Sequence, residues 1–338
     1  MSETLSFDPR QKEAQLQQES QSWEIGRVQE AGPGDIPLID VADYFAGGGD
    51  SDLDRIAGEL HRACVEVGFC SIIGHGFSRE LLDAAFASAR AFHALDQEDK
   101  DALTMDQPGW PGGVGYLPVM NRKLPTRRKG NLNESIVFKR DHRIELDDNR
   151  WPDESSLPGF RATIEAYMHA IEALAKRMLP VYARALGLDG NFFDQAFTRP
   201  LYRMRLTRYP IMPDKAGDEY GISPHVDTTF FTILAQNSPG LVIHHEPRQC
   251  WIHVPVVEDA FIVNTGELLK QWTNDRYLSV KHFADNNTGE ESRYSIPFFF
   301  NANADYRMTC IPTCCDGDNP PKYPPLSYLE SQAVVQGE

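Results

Sequence analysis

The sequence predicts a mixed α+β fold, with most helices in the first half and strands filling the second. Two stretches carry apolar residues at helical spacing, Leu53–Val67 and Phe160–Leu186. From Leu201 to about residue 311, short strand-like runs alternate with turns, a pattern fit for a double-sheet jelly roll. At 338 residues the chain can bury a large core, in one big domain or two. No internal repeat of fixed period and no heptad pattern is visible.

In order, the polar stretch "MSETLSFDPRQKEAQLQQESQSWE" has no apolar signal core and reads as part of a flexible arm over residues 1–30. A short strand enters at 36–40. The helix over Leu53–Val67 has Asp52 near its start. Phe69–Ile73 reads as a strand ended by Gly74-His75-Gly76, and Ser78 can cap a helix running to about His93. "DQPGWPGGVGY" is too rich in Gly and Pro for regular structure. Residues 121–130, "NRKLPTRRKG", form a basic loop, and "SIVF" at 135–138 a strand. "DDNRWPDESSLPG" reads as a linker before the long helix, which Pro180 can kink. The expected division is the arm, an N-terminal region of mixed α/β character over 31–150, and a long helix plus jelly roll over 151–338.

The residues that carry chemistry follow. His225-Val226-Asp227 offers an imidazole and a carboxylate two residues apart, which a strand would point to one side. His282 comes 55 residues later (282 minus 227), leaving room for several strands, and Arg293-Tyr294-Ser295 follows 11 residues after that (293 minus 282). Two imidazoles and a carboxylate suit a non-haem Fe(II) held on one face with open positions opposite. Arg293 supplies a planar fork for a carboxylate, and Ser295 a hydroxyl. His244, His245 and His253 are the rivals of His282. A ligand at His244 would lie only 17 residues after Asp227 (244 minus 227), with no Arg-x-Ser at the right interval.

Order, spacing and strand context together resemble the isopenicillin-N-synthase-like family of Fe(II)/2-oxoglutarate oxygenases. "IPLIDVADYF", "GFCSIIGHGF" and "LTRYP" extend the resemblance over about residues 36–311. It implies a distorted double-stranded β-helix (jelly roll) with helices packed outside. It also implies Fe(II) on His225, Asp227 and His282, and 2-oxoglutarate held through its far carboxylate by Arg293, Ser295 and Tyr209. O2 would be the oxidant, a small molecule would be hydroxylated or desaturated, and succinate and CO2 would be the coproducts. Three features depart from the family pattern. Phe283-Ala284 follows the distal histidine in place of Arg-Val, Thr207 stands where an asparagine is common, and "TRYP" is closer to isopenicillin N synthase itself, which uses no 2-oxoglutarate. An Fe(II) oxidase or cyclase without 2-oxoglutarate therefore stays open as an alternative, as does a metal-binding jelly roll without catalysis.

If Tyr209 faces the barrel interior, as the resemblance implies, then Thr207, Arg205 and Arg203 face it too, while Met204 and Leu206 point out toward helices. Likewise Arg293, Ser295, Pro297 and Phe299 share one face. Buried arginines demand partners, either protein carboxylates or an anionic ligand. Arg203, Arg205, Phe299 and Thr228 are the candidate substrate contacts, and the substrate is expected to be small and possibly anionic. The basic loop over 122–129 reads as a solvated loop or as a lid over an acidic ligand. His75, between glycines, reads as a turn residue, and Glu267 as structural.

Composition closes off other classes. A net charge of −16 argues against nucleic acid or an anionic membrane as partner. No run of 18 apolar residues exists. There is no nucleophile elbow, and "GGVG" lacks the strand–turn–helix setting of a phosphate loop. The six cysteines form no C-x-x-C framework and read as reduced thiols of a cytoplasmic protein, monomeric or weakly dimeric.

Overall fold

A computed structural model describes residues 25–105, 107–109, 111–120, 130–212 and 219–330. The basic loop expected over 121–130 lies outside them except for Gly130, as does most of the expected arm.

The strands in chain order are β1 (Gln29–Glu30), β2 (Leu38–Asp40), β3 (Phe69–Ile73), β4 (Gly115–Leu117), β5 (Glu134–Arg140), β6 (Leu201–Tyr209), β7 (Ile222–His225), β8 (Phe231–Gln236), β9 (Leu241–His245), β10 (Cys250–His253), β11 (Phe261–Thr265), β12 (His282–Ala284) and β13 (Arg293–Asn301). The main helices are α1 (Asp50–Glu66), α2 (Arg79–His93), α3 (Phe160–Ala185) and the short α4 (Glu267–Trp272). Two sheets result, a small one in the order β1-β10-β9-β12-β7 and a large one in the order β2-β3-β11-β8-β13-β6-β5-β4. Strands from the first half of the chain thus extend the sheet built by the second half.

Local chemistry sets the helix ends. At α1 the Gly49 N–H donates to Asp52 Oδ2 at 3.0 Å, and at α2 Ser78 Oγ accepts from Leu81 N at 3.1 Å, the N-cap the sequence predicts. α1 stops at Gly68, whose φ of +72° excludes most side chains and whose Cβ would meet Val280 Cγ2 at 2.6 Å. α3 buries Ile164, Tyr167, Met168, Ile171, Leu174, Met178 and Leu179, and continues through Pro180 to Ala185. Among the described residues no helix is long and apolar enough to cross a membrane.

Strand alternation then divides the large sheet into two faces. Met204 and Leu206 of β6, Ile296, Phe298 and Phe300 of β13, and Phe231 and Ile233 of β8 pack into the same core as the buried stripe of α3. The opposite face looks toward the small sheet, where Val67, Phe69, Leu241, Ile243, Ile252 and Ile262 form a second apolar cluster. Full burial of each such side chain is worth roughly 1.5–3 kcal/mol, so the outward apolar residues fix the strand phase and force the alternate residues inward.

Two expectations need correction, and a third gains detail. The glycine-rich stretch before residue 117 does form regular structure at its end, because Gly115 adopts φ +107° and lets β4 pair with β5. The linker after β5 is packed onto the sheet, since Trp151 stacks on Phe138 at 4.5 Å and Asn149 bonds Lys139 through both ends of its amide. The expected arm ends before Gln29–Glu30, which pair in parallel with β10.

Candidate active site

β7 ends at His225 and β12 begins at His282, and the two are register partners on neighbouring strands. Asp227 lies beyond the end of β7 rather than on it, which corrects the strand geometry expected for His-x-Asp. Its backbone carbonyl accepts from Glu267 N at the start of α4, and this anchors the turn. The side chains converge nonetheless. Asp227 Oδ1 is 3.6 Å from His225 Nε2 and 3.7 Å from His282 Nε2. One ligand atom from each of the three lies within 4.8 Å of the others, the only such metal-competent group among the described residues.

Hydrogen bonds fix which atoms face inward. His225 Nδ1 lies 2.8 Å from the Ser223 carbonyl, and His282 Nδ1 lies 2.9 Å from the Val280 carbonyl. A carbonyl only accepts, so each Nδ1 carries the proton and each Nε2 presents its lone pair. Asp227 Oδ2 accepts from Thr232 Oγ1 at 2.7 Å and Asn264 Nδ2 at 2.9 Å, leaving Oδ1 for the centre. Burial lowers the His225 pKa to about 4, helped by His282, so the imidazole is neutral at pH 7. Burial alone would raise the Asp227 carboxyl, but the two imidazoles and the Asn264 and Thr232 bonds hold it below its ordinary value. Two imidazole nitrogens and one carboxylate oxygen, each with one inward atom, fit a divalent iron.

Two of the rival histidines are engaged elsewhere. His244 Nδ1 pairs with Glu246 at 2.8 Å, and His245 Nε2 lies 3.0 Å from the Asp35 carbonyl. His75 accepts from Phe77 N and bonds the Asp259 carbonyl, a turn role.

Beside the centre, Arg293 is only 3% exposed. Its guanidinium lies over the Tyr209 ring at 4.5 Å, donates from Nε to the Ser238 carbonyl and from Nη2 to Gln236 Oε1, both at 3.1 Å, and leaves buried Nη1 without a partner among the described residues. Tyr209 OH is 3.3 Å from Ser295 Oγ. Gly240 makes room for this arginine, since a Cβ there would meet Arg293 Cδ and Nε at 2.9 Å. An orphaned, buried guanidinium N–H flanked by two hydroxyls fits a carboxylate.

The register sorts the inner face of the large sheet into rows. Arg293 faces Tyr209, and Ser295 lies between Thr207 and Gln236. Farther along, Phe299 lies between Arg203 and Thr232, with Lys139 beyond Arg203 and Asn264 beyond Thr232. Phe299 borders two cavities. One, of about 60 Å³, is lined by His225, Asp227, His282, Tyr209 and Arg293. The other, of about 790 Å³, is lined by Thr228, Arg203, Lys139, Arg143, Asn301 and Tyr328 among others. The Arg203 and Arg205 guanidiniums stack on the Phe299 ring at 4.9 and 5.7 Å. Of the candidate residues read from the sequence, all but Ser295 and Arg205 line one of these cavities, and those two lie on the same inner sheet face.

Sequence reading missed Thr232, Asn264, Gln236 and Tyr328. Asn264 had a signal, a lone amide inside the apolar run "FIVNT". Tyr328 had none, because it reaches the cavity from a C-terminal turn fastened by the Ser327–Glu330 bonds.

The chain is similar to known proteins. A profile of the 2OG-Fe(II) oxygenase superfamily matches residues 200–302, and one described as non-haem dioxygenase in morphine synthesis N-terminal matches residues 36–154. The chain is 32% identical over 307 residues to the 2-oxoglutarate-Fe(II) type oxidoreductase hxnY of Emericella nidulans, covering 86% of each chain. It is also 32% identical to azadirone synthase LFS of Melia azedarach, over 81% of this chain and 86% of that one. A full-length Neurospora crassa protein solved in complex with alpha-KG has the same fold at a TM-score of 0.79 and 24% identity, over 90% of this chain and 96% of that one. The dioxygenase for auxin oxidation in rice superposes with a TM-score of 0.71 at 26% identity, again over 90% and 96%.

Proposed function

The chain belongs to the 2OG-Fe(II) oxygenase superfamily, and from that premise we propose that His225, Asp227 and His282 hold its iron, that Arg293, Ser295 and Tyr209 hold the far carboxylate of 2-oxoglutarate, and that a small anionic substrate enters the large cavity beside Phe299. The protein is an oxidoreductase that uses Fe(II), 2-oxoglutarate and O2. When bound, iron and cosubstrate together supply the oxidising power for hydroxylation or desaturation, with succinate and CO2 as coproducts.

The chain's own residues do the rest. The Ser223 and Val280 carbonyls lock both imidazoles in the Nδ1–H form. Thr232 and Asn264 hold Asp227 ionised and aimed. Phe69 packs edge-on against His282 at 5.3 Å and keeps that side of the centre dry. Arg293 carries a fixed charge at the end of the site, and Gln236 and Ser238 fix its plane.

The observation that carries this reading is the division of labour at Asp227. One carboxylate oxygen is fully used by the protein, and the other faces two lone pairs at 3.6 and 3.7 Å. The anionic substrate rests on charge contrast. Lys139, Arg140, Arg143 and Arg203 against Asp141 line the large cavity of a chain whose net charge is −16.

The test is an anaerobic titration of the Fe(II)-loaded protein with 2-oxoglutarate, followed by its visible charge-transfer band. Arg293→Ala is expected to weaken binding by roughly 2–5 kcal/mol, because truncation leaves the carboxylate buried and unpaired. Arg293→Lys should recover only part, since a point charge does not replace the fork. Unchanged affinity in Arg293→Ala would sink the clamp.

A further inference from the structure

We infer that Cys310 and Cys315 form a reversible disulfide, a modification site that takes a small-molecule disulfide, such as glutathione disulfide, as its oxidant.

The chain builds the pair at a single turn. After β13 it runs on to Ile311, and Pro312–Cys314 then form a short 3-10 turn, with Cys314 N donating to the Ile311 carbonyl at 2.8 Å. Proline fixes its own φ at about −65°, which suits the first position of such a turn. The turn folds its two flanks back together. Cys310 Sγ lies 3.6 Å, and Cys315 Sγ 3.7 Å, from that same Ile311 carbonyl oxygen. The two thiols also hydrogen-bond each other. A carbonyl oxygen has two lone pairs, and the Cys314 N–H takes one, so two S–H groups share what is left. A disulfide removes both competing donors at once.

The turn does not depend on these thiols for its place. Ile311 N donates to the Trp272 carbonyl at the end of α4 at 2.8 Å. Thr313 Oγ1 donates to the Leu186 carbonyl just past α3 at 2.7 Å, and Arg276 Nη2 to the Thr313 carbonyl at 2.6 Å. The two sulfurs therefore meet on a fixed frame, and holding reactants in place makes their reaction effectively unimolecular.

The other cysteines are less suited. Cys64, Cys70 and Cys314 are 4%, 2% and 2% exposed, out of reach of a soluble oxidant. Cys250 is half-buried, on β10 of the small sheet. Cys310 and Cys315 are both half-buried, so a small disulfide can reach them. Burial and the bond to Cys315 push the Cys310 thiol up to about 12, which leaves Cys315 as the sulfur that attacks first.

The exchange balances in two steps. Cys315 Sγ, as thiolate, attacks one sulfur of glutathione disulfide, breaks its S–S bond and expels one glutathione thiolate. Cys310 Sγ then attacks the Cys315 sulfur of the mixed disulfide, closing the protein S–S bond and expelling the second. The two protein thiols lose two electrons to the glutathione disulfide, and their protons end on two glutathione thiols.

The experiment treats the Fe(II)-loaded protein anaerobically with glutathione disulfide, alkylates the remaining thiols and reads the mass of the tryptic peptide 308–322, which holds Cys310, Cys314 and Cys315. The parent peptide should lose two hydrogens and take one alkyl group, and dithiothreitol should restore all three sites. Cys314→Ser should show the same loss. Cys310→Ser should stop at a glutathione adduct on Cys315, and Cys315→Ser should leave Cys310 unreacted. The cross-link removes freedom from the unfolded chain, so the oxidised parent should melt about 2–4 °C above the reduced one. A parent peptide that stays fully alkylatable, or that stops at a stable glutathione adduct, would overturn the inference whatever the variants do. Loss of two hydrogens in Cys310→Ser would overturn it in favour of the neighbouring Cys314–Cys315 pair. An oxidised parent that melts lower would overturn it too, because the turn would then have to distort to close the bond.

Discussion

β5 and β6 carry a charged cluster on each face, and the two differ in whether they are finished. Outward, Glu134 is 4% exposed and both its oxygens are used. Tyr116 OH at 2.6 Å and Lys100 Nζ at 3.3 Å take Oε2, and Arg208 Nη1 at 2.9 Å takes Oε1. Inward and one residue along each strand, the Thr207–Ser295–Gln236 row and Arg293 beside it keep three buried polar groups without a hydrogen-bond partner among the described residues. Both clusters are buried and polar, and both involve an arginine and a tyrosine. What separates the two clusters is the balance of donors and acceptors, since Glu134 brings its own anion to the outer face and, among the described residues, no carboxylate accepts from the inner row.

The largest effect should come from breaking the finished cluster. Glu134→Ala strands Lys100 and Arg208 and is expected to cost about 3–5 kcal/mol in urea unfolding. Burial alone would raise the Glu134 carboxyl, but His93, Tyr116 and Lys100 hold it well below its ordinary value of 4.5. A depressed carboxylate contributes its stability above the unfolded value and loses it as pH falls through the folded one. Acid should therefore erode the parent from about pH 4.5 downward, with a slope that Glu134→Ala flattens; equal slopes would show that the cluster does not supply it.

A smaller effect should follow within the inner site from Asn264→Ala, which removes one of the two donors on Asp227 Oδ2. Loss of such an orienting bond typically lowers metal affinity about 10–100-fold, measurable by competition with a chelator. His282→Ala should lose more than that and His253→Ala nothing; the reverse order would displace His282 from the centre.

The smallest belongs to the large cavity. Arg203 is part-exposed, so its pairing with an anionic group is discounted for solvent to about 1 kcal/mol, roughly fivefold. Acidic metabolites should stimulate 2-oxoglutarate decarboxylation more than their neutral amides, and Arg203→Gln should erase the difference while leaving Fe(II) binding intact. Equal stimulation by both classes in the parent protein would remove the anionic substrate.

Much of this was legible beforehand, and the limit has a physical form. Period-two alternation told which residues share a face, so Tyr209, Thr207, Arg205 and Arg203 were read together, and Met204 and Leu206 were read outward. Alternation says nothing about which strand lies alongside. Ser295 meets Gln236 and Thr207 only because β13 lies between β8 and β6, and Asn264 reaches Asp227 only because β11 pairs with β8. Spacing located His225 and Asp227, but not that Asp227 leaves the strand, since that turn is held by a distant N–H at Glu267. Tyr328 depends on where the chain returns after residue 305, which no local pattern records.

The rows act as a ruler. Ser295 and Phe299 are four residues apart on one strand, which at about 3.3 Å per residue sets the Ser295 row and the Phe299 row roughly 13 Å apart. Neither row can drift toward the other without breaking the ladder of β13 with both β6 and β8. Descendants of this chain can thus remodel the Phe299 row, strand end by strand end, while the Ser295 row keeps its gauge.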